Sequence, residues 1–140
     1  FLMQAKKKYP DKLIITLDFD EELAHHIQAG ADMILTPSKY EPCGLTHLYS
    51  LTYGTVPIAR NTGGLADTII DYKKPDGNGF LFNKFDGNEF LKCIQTAIGV
   101  YRKNRTKWNQ MIRNGMAQDF SWKVSATKYM HMYKCLISSK

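Results

Sequence analysis

KYEPCGLTHLYSLTYGTVPIARNTGGLADTII, residues 39–70, sets two glycine-bearing helix starts and one isolated carboxylate side by side. At the first start, Pro42 fixes a rigid turn. Gly44 lets the backbone approach a ligand before Leu45, Leu48, Tyr49, Leu51 and Thr52 follow at helical spacing. The second start, Asn61-Thr62-Gly63-Gly64-Leu65, comes after a short apolar run at 56–59 and leads into another helical turn. A strand, a glycine turn and a helix in that order make an anion site. The first backbone N–H groups of the helix have no internal partner, and the helix dipole favours negative charge by about 0.3–1 kcal/mol. Two such units in succession predict one functional edge of a parallel sheet.

Reading outward, residues 13–17 (LIITL) form a β-branched run expected as a buried parallel strand, and a helix over 21–29 is stopped by Gly30. The alternation continues with a strand at 33–36, a helix at 44–53, a strand at 56–59, a short helix at 65–71 and a last strand at 80–82 after the turn-rich loop 73–79. From Asp86 onward the chain reads as helix, with breaks near 104–106 and 119–121. This spacing is that of right-handed βαβ units, so the expected fold class is α/β, a Rossmann-like doubly wound sheet with a helical C-terminal segment. Phe90, Leu91, Ile94, Ala97, Ile98, Tyr101, Met111, Ile112 and Met116, then Val124, Tyr129, Met130, Tyr133 and Leu136, read as core stripes.

At 140 residues the chain is one ordinary domain, without internal repeat or low-complexity tract. No apolar run approaches the ~20 residues that span a bilayer, and the opening FLMQA is too short for a secretory core before Lys6, Lys7 and Lys8. A net charge of +6 leans towards anionic partners, but the cations are scattered and lack the aromatic interleaving of a single-strand binder, so nucleic acid is not expected. Three cysteines at unrelated spacings argue against a disulfide framework or a metal knuckle and for a reducing setting. Cys93 and Cys135 are expected as core thiols, Cys43 as a cleft residue. His25 and His26 are adjacent and cannot ligate one metal as an i, i+4 pair would, and no nucleophile elbow, P-loop lysine or glycosidase carboxylate pair is present.

The two motifs, EPCGLT from Glu41 and RNTGGLAD from Arg60, resemble those of starch synthases and bacterial glycogen synthases, retaining glycosyltransferases of the two-domain GT-B type. Ala29-Gly30-Ala31-Asp32 before a strand, the Pro37-Ser38 exit and Asp119-Phe120-Ser121-Trp122 before the last helix extend the resemblance along the chain. It implies that residues 1–140 are part of a C-terminal, nucleotide-sugar-binding domain, with the N-terminal domain absent. The implied activity is transfer of glucose from ADP-glucose to the non-reducing end of an α-1,4-glucan with retention, without metal or other cofactor. Glu41 is the implied catalytic carboxylate. Cys43, Gly44, Leu45, Thr46, Tyr49, Thr62, Gly63 and Gly64 are implied in donor binding, with Phe19 stacking on the base.

Two departures stand out. Tyr49 occupies a position where the wider superfamily often has a second glutamate, as is usual for these synthases, and His47 stands where they commonly have glutamine. The resemblance also implies a basic Arg and Lys pair, an N-terminal lysine loop and a histidine that this chain does not contain, so the fragment alone is expected to bind ADP poorly and to transfer no glucose. Its implied partners are the nucleotide sugar, the glucan and its own N-terminal domain, with no membrane. Its setting would be the bacterial cytoplasm, or the plastid of a plant or alga. The alternatives are another GT-B enzyme using a UDP-sugar and a non-catalytic nucleotide- or glucan-binding module.

Overall fold

The computed structural model describes residues 2–138. In chain order the elements are α1 (Leu2–Lys8), α2 (Glu21–Gly30), β1 (Met33–Thr36), α3 (Leu45–Tyr53), β2 (Val56–Arg60), α4 (Gly63–Thr68), β3 (Phe80–Phe82), α5 (Gly87–Lys103), α6 (Arg105–Met116) and α7 (Trp122–Ser138). The strands form one parallel sheet in the order β1-β2-β3. Met33 is paired with Val56, and Ile58 with Phe80. Both connections are helical crossovers, so all three strands deliver their carboxyl ends to the same edge.

Side-chain alternation divides the core between the two faces of the sheet. Val56, Ile58 and Phe80 pack with Ala97 of α5 and Trp108 and Met111 of α6, while Ala59 and Leu65 pack with Ile69 on the opposite face, beside Leu81. Phe80 lies between Tyr72 and Trp108, with ring centroids 4.6 and 6.2 Å away. α2 packs on α3, and α3 on α6. Caps place the helix boundaries: Asp20 accepts from the Leu23 amide, Asp86 from those of Asn88 and Glu89, and Asn104 from that of Lys107.

Four expectations are corrected. The run 13–17 forms no strand: it follows α1 as irregular chain, with Ile14 88% and Leu17 74% exposed. A β-branched run becomes a buried parallel strand only where a ladder partner and cover on both faces are available, and here only Leu13 and Ile15 are half-buried, with no ladder partner among the described residues. The apolar stripe of α7 is not core either, since the helix buries no residue and Tyr129, Met130, Tyr133 and Leu136 are exposed, as are Leu91 and Met116 on α5 and α6. Cys135 is exposed rather than a core thiol, and Cys93 is half-buried, its thiol pushed up to about 11 by burial and then by Asp71. α4 begins two residues before the expected start and ends at Thr68, where the buried Asn78 accepts from the Ile70 amide and donates to the Thr68 carbonyl.

Candidate functional site

The site is built where the exits of β1 and β2 meet. Glu41, in the loop between β1 and α3, is half-buried, and its Oε2 accepts from the Ser38 hydroxyl at 3.4 Å. Gly44, the residue that caps α3, has φ of +81°, a left-handed conformation that glycine adopts without penalty. A Cβ there would lie 2.5 Å from His47 Nδ1 and 3.1 Å from Glu41 Cγ. The freedom of Gly44 is therefore used first by the protein's own side chains, a different reason from the ligand approach expected of it.

The second glycine turn is keyed into the first. The Gly64 amide donates to the Glu41 carbonyl at 2.9 Å, a Cβ on Gly64 would sit 2.4 Å from the Cys43 carbonyl oxygen, and Gly63 meets the Glu41 backbone in the same way. The two helix starts are thus not equivalent. That of α4 is occupied by the Glu41 loop, and the Thr62 carbonyl takes up the amides of Leu65 and Ala66. At α3, the His47 amide closes on the Gly44 carbonyl at 3.2 Å, while the amides of Leu45 and Thr46 meet no acceptor among the described residues. Leu45, Thr46 and Cys43 are exposed, so the open, positive helix end stands at the sheet edge beside the Glu41 carboxylate.

Glu41, Cys43, Gly44, Leu45, Thr46, Thr62, Gly63 and Gly64 therefore belong to one pair of interlocked turns. Two other expected residues stand apart from it. Tyr49 lies one turn further along α3 and faces α2, its ring centroid 5.1 Å from that of His25. Phe19 is 93% exposed in the segment before α2, with nothing among the described residues covering it.

Two residues not singled out for the site hold it together. Arg60, at the end of β2, donates from Nε to the Ser38 carbonyl at 3.0 Å, from one terminal nitrogen to that of Asn83 at 3.3 Å and from the other to that of Lys39. One guanidinium thus joins the exits of all three strands, and it also lies over the Phe85 ring at 5.9 Å. Thr68 donates to the Gly64 carbonyl at 2.7 Å and stands 2.6 Å from His47 Nε2. The sequence signal for Arg60 is a cation closing a buried apolar run, whereas Thr68 carries none. Beside Phe85 a cavity of about 260 Å³ is lined by Pro37, Phe82, Asp86, Gly87 and Phe90, a mostly apolar space whose one charge is negative and which is unsuited to a diphosphate. Among the described residues no three His, Cys, Asp or Glu side chains converge as metal ligands, and no helix is long and apolar enough to cross a membrane.

The family model described as Glycosyl transferases group 1 matches residues 2–115. The chain belongs to this family. It is 45% identical over 144 residues to glycogen synthase 2 of Nitrosococcus oceani, a match covering 99% of this chain and 29% of that protein. To the glycogen synthase of Fervidobacterium nodosum it is 50% identical over 130 residues, covering 91% of this chain and 27% of that one. The catalytic domain of starch synthase IV from Arabidopsis thaliana, solved bound to ADP and acarbose, superposes with a TM-score of 0.85 at 35% identity over 97% of this chain and 29% of its own. The chain thus spans under a third of the length of these relatives. The expected GT-B-type parallel sheet with its helical C-terminal segment is the architecture shared with that starch synthase domain.

Proposed function

We propose that this chain is the nucleotide-sugar-binding part of an ADP-glucose:α-1,4-glucan glucosyltransferase that acts with retention, has no resident metal or cofactor, and takes an α-glucan as acceptor. The observation that carries the reading is the Glu41 carboxylate set beside the open end of α3, where the Leu45 and Thr46 amides lack acceptors. Breaking a sugar–diphosphate bond develops negative charge on the leaving group and positive charge on the ring carbon. Preoriented amides stabilise the first charge and a fixed carboxylate the second, and donors of this type are worth about 3–4 kcal/mol each in other enzymes. The likeness to glycogen synthases, and to a starch synthase domain bound to ADP, supports ADP-glucose as donor and glucan as acceptor. In the longer protein, the basic Arg and Lys pair of this same domain would complete the diphosphate site, and an N-terminal domain would supply the lysine loop, the histidine and the remainder of the sugar cleft. The bacterial curated relatives favour a cytoplasmic setting.

Glu41→Ala in the longer protein should lower kcat at least about a hundredfold with a smaller change in donor KM, because the carboxylate acts mainly on the transition state. Transfer of labelled glucose to glycogen is the assay. Near-normal kcat refutes the role of Glu41, turnover of UDP-glucose in preference to ADP-glucose refutes the donor, and ADP binding without any transfer by the longer protein identifies a binding module.

A further inference from the structure

His47 is fully buried beneath the Gly44 turn and against Thr68 of α4. Thr68 gives its own proton to the Gly64 carbonyl, so at 2.6 Å it can only accept from His47, which places the ring proton on Nε2. Nδ1 is then a bare lone pair. It makes no hydrogen bond of good geometry, and it faces the underside of the Gly44 turn, whose backbone favours the protonated ring, 2.5 Å from where a Cβ would stand. A contiguous path therefore runs from the α4 start through Gly64, Thr68 and His47 to Gly44, whose Cβ position lies 3.1 Å from Glu41 Cγ.

We propose that His47, bonded to Thr68 as its Nε2–H tautomer, is a positioning residue that fixes the Gly44 turn and the Glu41 carboxylate against the start of α4. It touches no ligand, since it has no exposed surface, and it acts by setting where the α3 amides and the carboxylate point. The catalytic consequence rests on the function proposed above, whereas the positional one does not. Burial holds the imidazole below its ordinary proton affinity, with the Glu41 carboxylate and the Gly44 backbone opposing. Glu41 is the charged group whose field His47 registers among the described residues.

The test separates position from chemistry. In the chain itself, a long-range nitrogen–proton correlation of the imidazoles should show His47 as the Nε2–H form at pH 7, and Thr68→Val, which keeps the side-chain volume and removes the acceptor, should speed exchange of the Gly64 amide about tenfold or more and shift the Leu45 amide resonance. Thr68→Ser should restore both. His47→Gln, whose amide can still donate to Thr68, should retain the slow exchange that His47→Ala loses. In the longer protein, Thr68→Val should lower kcat about tenfold while donor KM changes less, with Thr68→Ser close to the parent. An Nδ1–H tautomer, or Gly64 and Leu45 amides indifferent to Thr68→Val, overturns the proposal. Altered amides with unchanged kcat uphold the positioning and overturn its catalytic consequence.

Discussion

At the scale of single residues, glycine serves the site by excluding a methyl group. Gly64→Ala places a Cβ 2.4 Å from a backbone oxygen, where no flexible side chain can yield. It should cost about 1–3 kcal/mol or more in urea unfolding. Gly44→Val adds a β-branched residue at φ +81° above a buried imidazole, so it should destabilise the domain as well as the turn. His47 makes stability depend on acidity. Its proton affinity is depressed in the folded chain, so the unfolded chain binds more protons in the window below the ordinary value of 6.5. The contribution is present above that value and is lost as pH falls through the folded one. Urea midpoints between pH 7 and 5 should therefore drop further in the parent than in His47→Gln, and parallel curves would refute the assignment.

At the scale of elements, Arg60 makes the exits of the three strands one unit. Arg60→Ala should cost about 1–2 kcal/mol, a value reduced for the partial exposure of the guanidinium. Arg60→Lys should recover less than half of it in denaturant titrations, because an ammonium cannot reach three separated carbonyls. Much of this layer was legible in the sequence. The strands at 33–36 and 80–82 and the helix ending at Tyr53 fall where apolar runs meet glycine and proline, since local chemistry alone sets those boundaries. Pro57, buried in the central strand, lies one residue before the stretch of β2 that pairs with β3, so on that side its missing N–H breaks no ladder bond. Residues 13–17 show the limit in the other direction, because a strand needs a neighbour and composition cannot supply one. The interlock of the two turns was not legible at all. It depends on carbonyl positions twenty residues apart, and the motif letters alone carry none of that geometry.

At the scale of the molecule, the core ends with α6. α7 buries no residue while presenting Trp122, Tyr129, Met130, Tyr133 and Leu136 to solvent. Removing residues 121–138 should therefore change the unfolding free energy by no more than about 0.5 kcal/mol, and amide exchange in α7 should be the fastest of the long helices. A loss of cooperative unfolding on truncation would show that the helix supports the core. The keyed turns also govern how the protein can change over generations. Because the Gly63–Gly64 backbone lies directly on that of Glu41 and Cys43, neither loop can gain or lose a residue without dislodging the other. In a library randomised in both loops, survivors should be substitutions at outward-facing positions such as Cys43 and Thr46, with insertions absent. New sugar preferences would then have to arise by exchanging side chains on an invariant backbone path, and a lineage bearing this lock would diversify by chemistry while its loop lengths stayed constant.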